Sequence, residues 1–230
     1  MRILAIGTSG KNCTVAIFED GKIVKEINNQ EGLTHSQTLM PEAKEIMEST
    51  SNTFDTIDAY AVSIGPGSFT GIRIGVSTIK GFCISHPKKV FAVPSLLALA
   101  YNVRDFKGYI VSCIDARNDN VYSAIYENLG DYPCQIGDYI ADNVTVLIEK
   151  INELDNPIVV VGDGANLLKE RITKAGIEYA DERNSLEYAS MIALAGVDLD
   201  KEGKATTGTL LSPLYLKKSQ AERELEEKNK

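Results

Sequence analysis

Histidine is scarce in this 230-residue chain, and the shortage narrows the chemistry it can carry. The two histidines, His35 and His86, form neither an H-E-x-x-H motif nor an i, i+4 pair, so zinc hydrolysis is disfavoured. Cysteine is almost as rare, and the four present are scattered without a C-x-x-C pair, which is typical of reduced, structural thiols. The sequence therefore predicts no metal site in this chain.

Long apolar runs and excess positive charge are also missing. No stretch of about 18 uninterrupted apolar residues occurs and no signal-peptide pattern follows Met1, so we expect a cytoplasmic protein with no membrane partner. The net charge is −8, from 24 basic and 32 acidic residues. Without a basic patch, such a chain repels nucleic acid at long range. With 43% hydrophobic and 24% charged residues, the composition is that of one large or two modest globular domains.

An internal repeat organises the chain. Residues 2–18 and 110–126 align without a gap at a constant offset of 108 residues, each reading as strand, polar loop and strand. Farther along, residues 59–64 and 158–161 are apolar strands that each run into a glycine loop before a helix. The two halves therefore share one order: three strands, a helix, a strand parallel to the first, a glycine loop and another helix.

This duplicated β-β-β-α-β-α order predicts an α/β fold of mixed sheets covered by helices. It is similar to the actin-like (ASKHA, ribonuclease H-like) architecture, in which two such domains clasp ATP between them. We expect an N-terminal domain over residues 1–104, a second domain over residues 105–216 and a hinge near 102–108. A highly charged tail follows over residues 217–230.

In an actin-like fold, two hairpin loops face each other across the cleft and hold phosphates and a metal with carboxylates or backbone N–H groups. The second loop offers Asp115, but Gly7 stands at the matching place in the first loop. Because Mg²⁺ needs one or two carboxylates, catalysis is weakened, whereas nucleotide binding is still permitted. The candidate nucleotide-binding residues are Ser9, Lys11, Asp115, Gly162 and Gly164. A structural role for Asp115 and a plain turn at residues 162–164 are equally good interpretations.

Two consecutive helices are predicted in the first half. The first, over residues 36–48, is amphipathic, and Pro41 must lie in its first turn or kink it. The second, over residues 70–84, is apolar or small on all sides, with only Arg73 and Lys80 charged. One side should cover its own sheet, while the other faces either the first helix, as ordinary core, or another protein. The glycines of this helix should allow a close backbone approach.

Motifs along nearly the whole chain resemble the TsaB (YeaZ) family. They are Ile3-Leu4-Ala5-Ile6 with Thr8-Ser9, His35-Ser36 with Leu39-Met40-Pro41, the glycine-rich run over residues 65–75, Val93-Pro94-Ser95-Leu96, Asp115-Ala116-Arg117 with Val121-Tyr122, and Pro213 with Tyr215-Leu216. The glycine-rich run is shared with the catalytic paralogue TsaD, whereas His35-Ser36 combined with Asp115-Ala116-Arg117 is specific to TsaB. One departure is Gly7, where family members commonly have aspartate.

The resemblance implies a non-catalytic scaffold and dimerisation subunit of the tRNA N6-adenosine threonylcarbamoyltransferase complex. It implies that TsaD docks on the two helices, that TsaE joins, and that the chain self-associates when TsaD is absent. tRNA is then reached only through the complex. ATP and a metal are expected on the partner subunits, and no cofactor is required by this chain. Mapped onto this sequence, the partner interface comprises His35, Leu39, Met40, Ile72, Arg73, Gly75, Val76 and Ile79.

Two enzyme hypotheses stay open as alternatives. An active actin-like ATPase or phosphotransferase would turn over Mg²⁺-ATP with Asp115. A glycoprotease would depend on Ser68 or a histidine, although the G-x-S-x-G context is only partly met and no acid-base partner can be assigned. The sequence also leaves open whether the free chain is a monomer or a dimer.

Overall fold

The helices and strands follow the predicted order in both halves of the chain. The computed structural model describes residues 1–30, 34–155 and 157–217, so the predicted tail lies outside the described residues from 218 onward. The first half contains β1 (Arg2–Gly7), β2 (Cys13–Glu19), β3 (Lys22–Asn29), α1 (His35–Ser49), β4 (Ala59–Ser63), α2 (Phe69–Ser85), β5 (Lys89–Val93) and α3 (Ser95–Tyr101). The second half contains β6 (Gly108–Asp115), β7 (Asn120–Asn128), β8 (Cys134–Asn143), α4 (Val144–Glu153), β9 (Ile158–Val161), α5 (Ala165–Lys169), β10 (Ile177–Tyr179), a 3-10 turn (Glu182–Ser185), α6 (Ala189–Lys201) and β11 (Thr206–Thr207).

Two mixed sheets result, and they confirm the predicted fold class. The first has the strand order β11-β5-β4-β1-β2-β3 and the second has the order β10-β9-β6-β7-β8. In each sheet the opening strand pairs antiparallel with the next strand and parallel with the strand that returns after the helix, as in β1 with β2 and β4. The equivalent pairs in the second sheet are β6 with β7 and β9. The internal repeat is therefore a structural duplication.

The central strands of the first sheet are apolar on both faces because helices cover both. Leu4 and Ile6 of β1 point to the face that α1 and α2 cover, where they join a core with Ile46 and Ile79. Ile3 and Ala5 point to the opposite face and pack with α6. A strand buried on both sides reads as a continuous apolar run, which is the pattern of Ile3 to Ile6.

Helix α6 and strand β11, which the sequence assigns to the second domain of residues 105–216, return to the first sheet. The apolar residues of α6 pack on the alanine-rich face of the first sheet; they are Ala189, Ile192, Ala193 and Ala195. Strand β11 pairs antiparallel with β5. Small side chains on both surfaces let the helix and sheet approach closely, and Gly196 lies directly against Phe91.

Helix α3 packs against both sheets and ends just before the predicted hinge near residues 102–108. Leu96 and Leu99 pack with Ile110 of the second sheet, whereas Tyr101 joins the core of the first sheet. The Asn102 amide donates hydrogen bonds to the carbonyl oxygens of Asn184 and Leu186, at 2.5 and 2.8 Å. The segment that leaves the first sheet and the segment that returns to it are therefore held together beside α3. No helix of the described ranges is long and apolar enough to cross a membrane.

Candidate functional site

The first hairpin loop is held by a carboxylate that comes from far along the chain. Glu187 lies in the return segment just before α6, and its Oε2 accepts the backbone N–H of Ser9 at 3.1 Å. Its Oε1 accepts the Ser9 hydroxyl at 2.7 Å. The Ser95 hydroxyl donates in turn to Ser9 Oγ at 2.7 Å. Ser9, predicted to bind nucleotide, is only 5% exposed, and its two donors are already taken.

Glu187 is itself enclosed, with 4% of its surface exposed. Burial raises the pKa of the Glu187 carboxyl above its ordinary value, while the hydrogen bonds from Ser9 act in the opposite direction. The Asn12 amide donates to the Glu187 backbone carbonyl at 2.6 Å, which anchors the main chain beside the loop. Sequence reasoning missed this residue. The one sequence feature that could have indicated it is the position of Glu187, a carboxylate next to the apolar run that becomes α6.

The second loop meets the first through surface charges. The Asp115 carboxylate is exposed and accepts the backbone N–H of Arg117 at 2.7 Å. The Asp115 N–H donates to Asp163 Oδ1 at 3.0 Å, and the Lys11 ammonium lies 3.2 Å from Asp163 Oδ2. Lys11 is 83% exposed, so this ion pair is screened by solvent. The structure thus brings Lys11 and Asp115 together around Asp163, whereas Ser9 is buried and bonded to Glu187.

Gly162 and Gly164 are required by packing against strand β6. A Cβ on Gly162 would lie 2.1 Å from the carbonyl oxygen of Cys113, and one on Gly164 would lie 2.5 Å from the Cys113 sulfur. Gly162 also has a φ of +110°, which side chains rarely adopt. A tight turn accounts for both glycines, and among the described residues no group of three or more His, Cys, Asp or Glu side chains is placed to hold a metal.

Helix α2 comes close to the first loop because two of its glycines, Gly71 and Gly75, face that loop. A Cβ on Gly71 would lie 2.0 Å from the carbonyl oxygen of Thr8, and one on Gly75 would lie 2.5 Å from Thr8 Oγ1. The Thr8 hydroxyl instead donates to the Gly71 carbonyl at 2.8 Å. Ser68 caps the start of α2 by accepting the Gly71 N–H at 3.2 Å, which is a structural role for a serine also considered as a nucleophile.

Five of the eight predicted interface residues lie beneath the surface. Leu39, Ile72, Gly75, Val76 and Ile79 are buried in the core of their own chain. The four with larger side chains are between 0% and 3% exposed, so in the isolated chain they face its own core, and their contact with a partner stays a prediction. They occupy the sheet-facing side of α1 and α2. Pro41 lies in the second turn of α1, not the first, and faces solvent.

Three predicted interface residues do reach the surface. Met40 is 50% exposed, Arg73 is exposed and His35 is half-buried, with its Nε2 lying 3.1 Å from the Gly10 carbonyl oxygen. Arg73 already has a hydrogen-bond partner within the chain, because its Nε donates to the Tyr215 hydroxyl at 2.8 Å. The Tyr215 ring is stacked on that of Phe69, with centroids 4.7 Å apart.

The outward side of α2 is lined with small and apolar residues. Ser77 and Gly81 are exposed, Ile74 is half-buried, and Ile84 near the helix end is 84% exposed. A Cβ on Gly81 would have no heavy atom within 4 Å. We name Ile74, Ser77, Gly81 and Ile84 the outer stripe of α2.

The two halves of the chain repeat one order of strands and helices, and the first hairpin loop of each half lies beside that of the other. This arrangement defines an actin-like protein. Its family follows from comparison with known sequences. The family model described as "TsaD: tRNA N6-adenosine threonylcarbamoyltransferase" matches residues 19–225. The tRNA threonylcarbamoyladenosine biosynthesis protein TsaB of Bacillus subtilis (strain 168) is 31% identical over 96% of each chain. The chain belongs to the TsaB (YeaZ) family, a relative of TsaD, which confirms the resemblance found in its motifs.

Solved structures agree with the fold. YeaZ from Pseudomonas aeruginosa superposes with a TM-score of 0.79 and 23% identity, covering 94% of this chain and 99% of that one. A more distant neighbour, an activator of 2-hydroxyisocaproyl-CoA dehydratase from Clostridium difficile with bound ADPNP, has a TM-score of 0.51 and 12% identity. It covers 94% of this chain and all of its own. At these identities the likeness concerns the fold alone.

Proposed function

We propose that this chain works in tRNA threonylcarbamoyladenosine biosynthesis as a non-catalytic subunit that supports TsaD together with TsaE. Family membership supports the pathway. The observation that carries the non-catalytic role is the pairing of Glu187 with Ser9, because it uses the first-loop donors that an actin-like enzyme would turn toward phosphate. ATP and a metal then belong to the partner subunits, this chain needs no cofactor, and tRNA is reached through the complex.

The outer stripe of α2, with Met40 on the neighbouring helix, is the surface that we propose for TsaD. Small residues such as Ser77 and Gly81 let a second helix approach closely, and Ile84 and Met40 supply exposed apolar area. Apolar area of this kind marks protein contact sites when it is contiguous. Self-association of the isolated chain would use the same stripe when TsaD is absent. The buried residues Ile72, Val76 and Ile79 hold the helix in position from below.

A substitution on this stripe tests the proposal without disturbing the core. Gly81→Glu places a charged side chain at the centre of the stripe, where a Cβ meets open space. Gly75→Glu would not serve, because its Cβ would collide with Thr8. Asn152→Glu on α4 is the matched control, since it also adds a carboxylate to an exposed helical position.

We expect the purified chain and the Asn152→Glu variant to co-elute with TsaD, and Gly81→Glu to elute separately while retaining the circular dichroism spectrum of a folded protein. Unchanged co-elution of Gly81→Glu would contradict the proposed surface. In a reconstituted assay of tRNA modification, the mixture of all three proteins should be active. We expect TsaD and TsaE together to be inactive when this chain is omitted. ATP turnover by this chain alone that is lost in Asp115→Ala would instead support the phosphotransferase alternative.

A further inference from the structure

A carboxylate is enclosed where the first hairpin loop presents its donors. Glu187 lies 178 residues from Ser9 in the sequence, yet both of its carboxylate oxygens are hydrogen-bonded to that one residue. One donor is a backbone N–H and the other is a hydroxyl whose oxygen is itself oriented by Ser95. Backbone N–H and serine hydroxyl groups of this kind are the donors that phosphate-binding loops use.

The geometry points to an oxyanion site that is already filled by the protein's own side chain: we propose that Glu187 stands in for a phosphate group in the first loop. A carboxylate is an anion with the same type of acceptor oxygen as a phosphate. The site is therefore latent, and a phosphate group can enter it only when the carboxylate is removed. This inference deepens the proposed non-catalytic role, on which its biological meaning rests.

The main chain at Glu187 is anchored to the first hairpin by two hydrogen bonds. The Glu187 carbonyl accepts from Asn12 at 2.6 Å, and the N–H of Ala189 donates to Thr14 Oγ1 at 3.1 Å. Both partners lie in or beside the first hairpin. Displacement of the carboxylate by a ligand would break its two hydrogen bonds with Ser9, so the filled state is favoured in the folded chain.

Gly7 supplies the room for this arrangement. A Cβ at position 7 would lie 2.8 Å from Glu187 Oε2 and 2.7 Å from Thr14 Cγ2. A side chain at Gly7 and the Glu187 carboxylate therefore compete for one space. The first loop has no carboxylate of its own, but the Glu187 carboxylate lies beside it in the folded chain. That carboxylate is enclosed and bonded to Ser9, so it is not available to a ligand.

The test is a gain of binding. Glu187→Ala removes the carboxylate, and inorganic pyrophosphate is the probe, measured by isothermal titration calorimetry. Since a charge-assisted hydrogen bond is among the stronger ones, we expect Glu187→Ala to bind pyrophosphate at least roughly tenfold more tightly than the unmodified chain. Glu187→Gln is the matched control: it keeps the shape and still fills the site, so it should gain nothing. Ser9→Ala combined with Glu187→Ala should lose most of the gain.

Thermal unfolding provides a second measurement if Glu187→Ala is poorly stable. Pyrophosphate should then raise its melting temperature while leaving that of the unmodified chain unchanged. Equal pyrophosphate affinity in the unmodified chain and Glu187→Ala, or an equal gain in Glu187→Gln, would overturn the inference. Co-elution of the unmodified chain with TsaD is a separate readout, so failure of the latent site and failure of the scaffold role are distinguishable.

Discussion

The glycine at position 7 offers a direct test of how Glu187 is accommodated. Gly7 has a φ outside the left-handed region, so alanine can adopt its backbone conformation, and the effect of Gly7→Ala on the folded state comes from the added methyl group. That group would meet Thr14 Cγ2 at 2.7 Å, Glu187 Oε2 at 2.8 Å and Ile192 Cδ1 at 2.9 Å. All three distances are shorter than the 3.4–4 Å of ordinary van der Waals contact.

Adding a methyl group to a filled core typically costs about 1–3 kcal/mol. Replacing glycine with alanine also restricts the unfolded chain, which returns about 0.4–1 kcal/mol. We therefore expect Gly7→Ala to lower the free energy of unfolding by about 1–2 kcal/mol. The chain has no tryptophan, so urea unfolding is best followed by far-ultraviolet circular dichroism.

A double-mutant cycle shows whether the carboxylate is the cause. In the Glu187→Ala background one of the three close contacts is gone and the space beside it is open, so Gly7→Ala should cost less there. We expect a coupling energy of at least about 0.5 kcal/mol, the usual threshold for residues in contact. Additive effects within that limit, or a Gly7→Ala variant as stable as the unmodified chain, would refute the shared-space argument.

Three further predictions concern stability. Burial raises the pKa of Glu187 above its ordinary value of 4.5, so the folded chain binds the carboxyl proton more tightly than the unfolded chain does. The stability that this proton contributes is lost as pH rises through the folded pKa. In urea titrations, the unmodified chain should thus lose stability relative to Glu187→Gln as the pH rises above 4.5, and a pH-independent difference would contradict this. Gly81→Ala, in open space on a helix, should raise the unfolding free energy by up to about 1 kcal/mol; a decrease would mean that the methyl group is not accommodated. Ile79→Ala, fully buried beneath the same helix, should lower it by about 2–5 kcal/mol, and a loss below about 1 kcal/mol would show that Ile79 is not core.

Much of the architecture was accessible from local sequence patterns. Strand alternation, hairpin turns and glycine loops depend on neighbouring residues. The repeat of residues 2–18 in 110–126 therefore predicted the meanders, and the matching apolar strands at 59–64 and 158–161 predicted the parallel return strands. The glycines of α2 were likewise expected to allow a close approach, and Gly71 lies against the Thr8 carbonyl. The return of α6 to the first sheet was not predicted, because the sequence patterns that align between the two halves end before that segment.

The sequence by itself determined the strand order, the duplication and the family, because each is written in patterns that span a few residues or repeat along the chain. Only the tertiary structure decided which side of α2 is core, since a helix that is apolar or small all round has no periodicity to mark one face. It alone also brought Glu187 to Ser9, a contact across 178 residues. Such contacts are set by the packing of α6 on the first sheet, and no local pattern encodes which loop a distant carboxylate will enter.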